Sequence, residues 1–187
     1  MSSGGKETEI KLAVASAKAA RDLLRRVGFR LFRKRVFEAN TVFDTADSSL
    51  RTGGRLLRLR EAGKVATLTY KGVASVGRHK SRHEIETEIA DAHAAAAIFK
   101  SLGYLPLFRY EKYRTEFHQQ RGGGIAMLDE TPIGVYLELE GAPRWIDATA
   151  RHLGFRRADY ITDSYGRLYF LWCEARGIHP THMVFRG

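Results

Sequence analysis

The sequence has almost no cysteine and no long apolar run. Its one cysteine, Cys173, cannot form a disulfide within the chain, which excludes a disulfide-stabilised fold and favours a reducing cytoplasm. The first six residues, Met1 to Lys6, lack the apolar segment of a secretory signal. No apolar run approaches the roughly 20 residues needed to cross a bilayer. We therefore expect a cytoplasmic protein without a membrane segment.

The chain also lacks internal repeats, linkers and low-complexity segments. Its 187 residues are 44% hydrophobic and 28% charged, a composition typical of a globular protein. We predict a single domain over residues 1–187, with its core at about 6–176. Acidic residues are the minority, since 31 Lys and Arg face 21 Asp and Glu and give a formal net charge of +10. This excess predicts an anionic partner.

The pattern of apolar and turn-forming residues predicts about eight strands, several linked as hairpins, together with a few helices. Antiparallel strands in that number form either a sandwich or a closed barrel. The residues from Asp44 to Ser49 are of types that favour a turn, and residues 73–80 are predicted to form a loop. The predicted strands cover 6–14, 29–43, 54–61, 64–71, 79–89, 107–119, 124–130 and 133–140, and the predicted helices cover 16–27, 93–102, 143–153 and 163–176.

The segment Glu7-Thr8-Glu9-Ile10-Lys11 carries the first chemical signal. A strand places every second side chain on the same face, so Glu7, Glu9 and Lys11 project together. Two neighbouring carboxylates repel each other unless a positive charge lies between them. A divalent cation could supply that charge.

The same alternation recurs in later strands, with acidic and basic residues on separate strands. Either these faces are the solvated outside of a sheet, with weak pairs across strands, or they line the inside of one barrel as a polar tunnel. Their recurrence over as many as six strands favours the tunnel. The basic group contains Arg58, Arg60, Lys71, Lys112 and Arg114, and the acidic group contains Glu7, Glu9, Glu84, Glu86, Glu138 and Glu140.

The order and spacing of these motifs resemble the CYTH superfamily, from about residue 6 to 170. That superfamily contains class IV adenylyl cyclases, thiamine triphosphatases and inorganic triphosphatases. Its hallmark is E-x-E-x-K near the N-terminus, here Glu7 to Lys11. The other matching segments are Phe43-Asp44-Thr45-Ala46-Asp47, Leu57-Arg58-Leu59-Arg60, Leu68-Thr69-Tyr70-Lys71-Gly72, Arg82-His83-Glu84-Ile85-Glu86, Glu111-Lys112-Tyr113-Arg114, Leu128-Asp129-Glu130 and Gly134-Val135-Tyr136-Leu137-Glu138-Leu139-Glu140.

The resemblance implies an α+β fold, a closed eight-stranded antiparallel β-barrel called a triphosphate tunnel, with flanking helices. It implies Mg²⁺ or Mn²⁺ held by Glu7, Glu9, Glu138 and Glu140, with Asp129 in the same acidic set. It also implies that Glu84 and Glu86 act from the opposite wall, so the expected catalytic residues are Glu7, Glu9, Lys11, Glu84 and Glu86. The residues expected to bind phosphate oxygens are Lys11, Arg58, Arg60, Lys71, Arg82, Lys112 and Arg114.

Three functions remain open at this stage. The first choice is metal-dependent hydrolysis of a triphosphate such as tripolyphosphate or thiamine triphosphate, because it requires the fewest additional contacts. The first alternative is a class IV adenylyl cyclase, for which no aromatic-plus-amide set that would hold adenine is evident. The second is a non-catalytic module that binds polyphosphate or nucleic acid, and the carboxylates argue against it. The basic run Arg33-Lys34-Arg35 is interpreted as a solvated strand or a patch at the tunnel mouth. The sequence leaves the oligomeric state open, with a homodimer as one option.

Overall fold

A computed structural model describes residues 3–120 and 122–186 of the chain. It contains nine strands and five α-helices within those residues. The strands are β1 (Ser3–Val14), β2 (Arg30–Asp44), β3 (Leu56–Ala62), β4 (Val65–Lys71), β5 (Ser75–Val76), β6 (Lys80–Ile89), β7 (Leu105–His118), β8 (Gly124–Thr131) and β9 (Gly134–Gly141). The helices are α1 (Ala17–Arg26), α2 (Ser49–Thr52), α3 (Ala92–Ser101), α4 (Pro143–His152) and α5 (Tyr165–Glu174).

Eight of the strands close into an antiparallel barrel, which confirms the predicted fold class. Neighbouring strands follow the order β1-β9-β8-β7-β2-β3-β4-β6, and pairing of β6 with β1 completes the ring. The short strand β5 adds only a local pairing to β6. Closure gives every barrel strand a paired neighbour on both sides. It also places β9 across the ring from β3, because four steps separate them in either direction.

Helix boundaries follow the capping residues expected from the sequence. The Ser16 hydroxyl accepts a hydrogen bond from the Ala19 N–H, and the Asp91 carboxylate accepts one from Ala94. Such caps satisfy backbone donors that have no partner within the helix. Gly28 follows α1 with a φ of +87°, a conformation that glycine adopts at no steric cost.

Helix α2 was not predicted; it begins at Ser49, the last residue of the predicted turn. The Asp44 carboxylate accepts hydrogen bonds from the N–H groups of Leu50 and Arg51, at 2.8 and 2.9 Å. These bonds cross six and seven residues, and they organise one short helical segment at the end of β2. A turn signal read from neighbouring residues does not contain this more distant interaction.

The apolar core lies outside the barrel wall, between the sheet and the helices. Ile10, Leu128 and Leu139 are fully buried and belong to one cluster with Leu24 of α1 and Ile146 of α4. A second cluster packs α5 against the barrel and includes the buried Cys173. The inner faces of the strands are thereby left for polar side chains. None of the helices in the described part of the chain is both long and apolar enough to span a membrane.

Trp145 of α4 lies close enough to the barrel to require glycine at neighbouring positions, and Gly124 has the tightest contacts with it. A Cβ atom on Gly124 would lie 2.5 Å from the Trp145 ring, and closer still to the carbonyl oxygen of Glu140. A Cβ atom on Gly122 would meet nothing nearer than 3.7 Å. The two glycines thus form a matched pair two residues apart.

We predict that Gly124→Ala lowers the free energy of unfolding by about 1–3 kcal/mol, because an added methyl group overpacks this contact. Gly122→Ala is the control and is expected to change it by less than about 0.5 kcal/mol. Urea unfolding followed by circular dichroism measures both variants. Equal stability of the two variants would contradict the packing assigned to Trp145.

Candidate active site

A cavity of about 840 Å³ runs through the barrel, and its lining is densely charged. Eight cations on the barrel strands line it: Lys11, Arg58, Arg60, Lys71, Lys80, Arg82, Lys112 and Arg114. Six glutamates join them: Glu7, Glu9, Glu84, Glu86, Glu138 and Glu140. Two more carboxylates, Glu38 and Asp129, contact Lys112 behind this lining. These sixteen groups, which we call the tunnel set, balance in formal charge. Outside this set, the cavity is also lined by Asp44 at the end of β2, by Arg51 and Arg55 in and after α2, and by Arg167 of α5.

Thirteen of the fourteen site residues expected from the sequence line this cavity, and Asp129 lies just behind them. Their burial excludes the solvated outer face as an interpretation: Lys11 is 3% exposed, Lys112 is 2% and Glu138 is 6%. The position of these side chains is thus established. Their roles in binding and catalysis stay predictions.

Lys11 bridges two carboxylates on neighbouring strands. Its Nζ lies 3.3 Å from Glu9 Oε1 and 3.3 Å from Glu138 Oε2. Burial disfavours the charged amine, but the two carboxylates outweigh burial and raise the pKa of Lys11. Burial likewise disfavours the charged form of Glu138, yet Lys11 and Arg114 hold its pKa well below the usual value. Both groups are charged at neutral pH.

Asp129 is the anchor of a second network on β7 and β8. Its carboxylate accepts hydrogen bonds from Arg114 Nε at 2.7 Å, from Lys112 Nζ at 2.9 Å and from the Tyr165 hydroxyl at 2.7 Å. It is 0% exposed, and Arg114 and Lys112 overcome burial to lower its pKa. These contacts satisfy the carboxylate fully. They favour a role in positioning Arg114 and Lys112 over the metal-ligand role expected from the sequence.

Strands β3 and β4 contribute cations but no carboxylate to the lining of the cavity. Arg58 donates to Thr69 at 3.0 Å and to Glu86 at 3.4 Å, but its buried Nε has no hydrogen-bond partner within the described residues. Burial and the Arg58 charge lower the pKa of Arg60. The same two causes lower the pKa of Lys71 to about 8, although Lys71 pairs with Glu84. An anion bound at this wall would relieve that repulsion.

Strands β1 and β9 contribute more carboxylates than cations to the lining of the cavity. Burial, followed by repulsion from Glu140 and Glu84, raises the pKa of Glu7 to about 8. Burial, followed by repulsion from Glu138 and Glu9, raises the pKa of Glu140 to about 7. Within residues 3–120 and 122–186, neither Glu7 nor Glu140 forms an ion pair. A cation bound here would stabilise both carboxylates.

These carboxylates suit a divalent metal in chemical type, since hard cations take oxygen ligands. No three His, Cys, Asp or Glu side chains in the described part of the chain are arranged as a preformed metal-holding group. The reason is visible in the contacts, because Lys11 lies between Glu9 and Glu138. The donor set therefore fits a cation best at Glu7 and Glu140, with Glu9 beside them.

Three residues at the cavity wall were not among those expected from the sequence: Lys80 and Tyr110 line it, and Glu38 lies behind the lining. Glu38 and Lys80 follow the period-two pattern of their strands, since Lys80 precedes Arg82 and Glu84 at the same spacing, so that pattern could have identified them. Tyr110, whose hydroxyl accepts from Arg58 Nη1 at 3.3 Å, continues the face of Lys112 and Arg114. The alternation in β2, β6 and β7 contained this signal.

Aromatic residues form one mouth of the tunnel, and no pattern in the sequence indicated them. Phe108 of β7 lies 6.3 Å from the ring of Phe170 of α5 and 6.4 Å from that of His182. The Arg51 guanidinium lies over the Phe170 ring at 5.1 Å. All four residues line the cavity. They come from distant parts of the chain, so no fixed spacing could reveal them.

We predict that the metal-free protein loses stability as the pH rises from about 5 to 8. The folded state holds protons on Glu7 and Glu140 in this range, whereas an unfolded carboxyl titrates near its model value of 4.5. The folded state then binds more protons, so the free energy of unfolding falls with increasing pH. The expected decrease is about 1–3 kcal/mol after allowance for solvent screening of the partly exposed Glu7.

The measurement is urea unfolding in EDTA at pH 5, 6.5 and 8. Glu140→Gln should flatten the profile, and Glu61→Gln, which alters an exposed carboxylate on β3, should leave it unchanged. A wild-type profile that rises from pH 5 to 8 would contradict the surplus assigned to β1 and β9.

Comparison with known proteins agrees with this geometry. A protein of Methanocaldococcus jannaschii, provisionally named adenylate cyclase, is 30% identical over 134 residues, which cover 72% of this chain and 75% of the relative. A Vibrio parahaemolyticus structure with the same provisional name has a TM-score of 0.74 at 21% identity, covering 89% of this chain and 98% of that one. The PH1012 protein of Pyrococcus horikoshii has a TM-score of 0.73 at 22% identity, covering 85% and 96%.

A Hippeastrum protein, provisionally named an adenylyl cyclase and described as having a dominant triphosphatase activity, has a TM-score of 0.62 at 20% identity. It covers 93% of this chain, and this chain covers 97% of it. At these identities the structural matches establish the fold alone. The family model of the CYTH domain matches residues 5–165, most of the chain, and we conclude that this protein belongs to the CYTH family.

Proposed function

We propose that this protein is a divalent-metal-dependent hydrolase of triphosphate-bearing substrates, which bind in the barrel tunnel. One observation carries the proposal: a surplus of positive charge on β3 and β4 faces a surplus of carboxylates on β1 and β9. A metal–triphosphate complex has complementary charges in the same arrangement. CYTH proteins are triphosphatases or adenylyl cyclases, and both reactions begin from such a complex.

Binding of the phosphates is assigned to the basic wall. Among the described residues, Arg58, Arg60 and Lys71 each pair with a single carboxylate. Burial and repulsion from Arg58 lower the pKa of both Arg60 and Lys71, and Arg58 Nε has no hydrogen-bond partner in the described part of the chain, so these cations could also contact phosphate oxygens. Arg114 and Lys112 extend that surface from β7, held in place by Asp129. Preorganised cations of this kind stabilise charge without reorganising during the reaction. The expected phosphate ligands also include Lys11 and Arg82.

The carboxylates divide between two tasks. Glu7, Glu9 and Glu140 would hold Mg²⁺ or Mn²⁺, with Glu138 beside them. When bound, the cation neutralises phosphate oxygens and lowers the pKa of a bound water. Glu84 contacts Lys71 and accepts from Arg82 Nε at 3.0 Å, and Glu86 accepts from Arg58, so these two carboxylates orient the basic residues. Burial of the tunnel set restricts water to the reacting end of the phosphate chain.

Adenylyl cyclase is the second candidate, and the aromatic mouth is compatible with it. Phe108, Phe170 and His182 offer faces on which a planar ring could stack. The same mouth suits thiamine triphosphate, so it indicates an organic triphosphate without selecting the reaction. The choice depends on whether water attacks the terminal phosphorus or the ribose hydroxyl attacks the α-phosphorus.

We predict that phosphate release from triphosphates exceeds cyclic AMP formation. Cyclisation requires the ribose hydroxyl to be held in line with the α-phosphorus, and misplacement by about 1 Å can reduce the rate roughly 10²-fold. Tripolyphosphate, thiamine triphosphate and ATP are each assayed with Mg²⁺ or Mn²⁺, and phosphate, pyrophosphate and cyclic AMP are resolved by chromatography. If cyclic AMP and pyrophosphate form from ATP faster than phosphate forms from any of the three, the cyclase replaces the hydrolase.

We predict that Arg58→Ala weakens binding of a non-hydrolysable triphosphate by about 1.5–3 kcal/mol, or roughly 10- to 100-fold, the contribution of one charge-assisted contact. The affinity of Arg58→Ala for inorganic phosphate should fall much less, because phosphate can occupy other parts of the basic wall. Arg58→Lys should recover only part of the loss, since Lys lacks the bidentate geometry of Arg. Calorimetry measures the affinity of the wild type and of both variants for each ligand.

The control for this series is Arg109→Ala, whose side chain contacts Glu111 on the outer face of β7 at 2.9 Å. It should leave triphosphate binding unchanged. Equal losses for phosphate and triphosphate in Arg58→Ala would indicate a site that does not distinguish phosphate chain length.

We predict that Glu140→Gln loses most metal-dependent activity but stays folded. The substitution removes a carboxylate that repels its neighbours in the metal-free protein, so stability at pH 8 should hold or rise. Activity is measured against Mn²⁺ concentration, and stability by thermal unfolding in EDTA. Glu61→Gln is the control for a change of one exposed carboxylate. Wild-type activity of Glu140→Gln at limiting Mn²⁺, or full wild-type turnover in EDTA, would refute the metal assignment.

A further inference from the structure

The net positive charge of the protein lies mainly outside the tunnel. The tunnel set contains equal numbers of cations and carboxylates. Residues 17–36, which form α1 and the first part of β2, contain eight Lys and Arg but only one acid, Asp22. Most of the formal +10 is thus concentrated on one outer face of the barrel, where the proposed tunnel reaction does not use it.

A second cavity of about 550 Å³ lies on this face, between α1 and strands β2 and β7, and we call it the outer pocket. Five of these cations line it: Arg21, Arg25, Arg30, Lys34 and Arg35. Arg35 contacts Glu130 at 2.8 Å and Arg25 contacts Asp22 at 3.7 Å. Arg21 and Lys34 have no ion pair with any carboxylate in residues 3–120 and 122–186. The pocket therefore retains uncompensated positive charge.

The rest of the outer pocket is apolar. Phe29 and Phe117 are buried beneath it, and Leu31 is 55% exposed at its side. An exposed leucine beside a concave apolar floor is a surface that a ligand could cover. A hydrated inorganic ion would leave this floor in contact with water. The cavity is also large enough for a molecule well beyond the size of phosphate.

One buried hydroxyl in the outer pocket is unexplained by the fold. Thr115 is 4% exposed and lines the cavity, yet its Oγ1 has no hydrogen-bond partner in the described structure. A buried polar group without a partner is destabilising, and valine would fill the same volume without that penalty. The hydroxyl is independent of the cations and indicates a missing polar partner at the floor.

We propose that the outer pocket binds an organic phosphate with a flat, weakly polar body, of the nucleoside monophosphate class. The phosphate contacts Arg21, Arg25 and Lys34, and the ring system covers Phe29, Leu31 and Phe117. Arg and aromatic or apolar contacts together are a common mode of recognising nucleotides. This site lies on the outside of the barrel and does not depend on the reaction proposed for the tunnel.

The test is calorimetric titration in EDTA with three probes: adenosine monophosphate, adenosine and inorganic phosphate. Each is titrated into the wild type, into Arg21→Ser/Arg25→Ser, and into Lys18→Ser/Arg26→Ser. The last variant also removes two positive charges from α1, but at positions that do not line the outer pocket. It therefore controls for non-specific attraction. Thr115→Val tests the floor while keeping the side-chain shape, and Arg58→Ala reports on the tunnel.

The wild type should bind adenosine monophosphate at least about tenfold more tightly than either adenosine or phosphate, since only the whole ligand contacts both the cations and the floor. Arg21→Ser/Arg25→Ser should weaken that binding about tenfold or more, Thr115→Val should weaken it several-fold, and the control and Arg58→Ala should change it less than about twofold.

Four results would overturn the proposal. Binding that Arg58→Ala abolishes would place the ligand in the tunnel. Equal losses in the two double variants would indicate non-specific attraction. Phosphate binding that is as tight as that of the nucleotide and is lost in Arg21→Ser/Arg25→Ser would exclude recognition by the floor. Unchanged affinity for the nucleotide in Thr115→Val would exclude a ligand that uses the orphaned hydroxyl.

Discussion

Compensation of charge inside a closed barrel is the constraint on which the rest of this structure depends. A buried ion without a partner is destabilising by several kcal/mol, and the barrel holds sixteen ionisable groups in its tunnel set. Each strand therefore has to place its charges next to opposite charges on its neighbours, as Lys11 does between Glu9 and Glu138. The apolar residues pack outward against helices because the interior is already occupied. The groups left incompletely paired then mark where a ligand can bind.

The balance of charges in the tunnel set means that the net charge of the protein lies elsewhere. A net charge of +10 predicts an anionic partner, and the tunnel supplies an obvious place for one, but the tunnel set is balanced. The proposed binding of an anion there depends on the separation of the two signs, with Arg60 of β3 across the ring from Glu140 of β9. The excess charge belongs to residues 17–36 and the outer pocket. Composition predicts the sign of a partner but does not locate its binding site.

Much of the fold and of the candidate site was predictable, because both follow from one local rule. Alternate residues of a strand face the same way, so Arg58 and Arg60, or Glu138 and Glu140, had to share a face, and their recurrence required an enclosed polar interior. The contacts of Asp129 were not predictable, since they include the hydroxyl of Tyr165, 36 residues later. Phe108, Phe170 and His182 meet only through packing of α5 and the C-terminal segment against β7. Distances along the chain do not encode such a contact.

The central claim is that the tunnel receives a triphosphate and a divalent cation as one complex, because its two charge surpluses are separated. Calorimetric titration of a non-hydrolysable tripolyphosphate analogue, with Mg²⁺ and then with EDTA, tests this claim most directly. The account predicts that the cation tightens binding at least about tenfold, since it neutralises repulsion between the phosphates and Glu7, Glu9 and Glu140. Equal or weaker affinity in the presence of Mg²⁺ would contradict it.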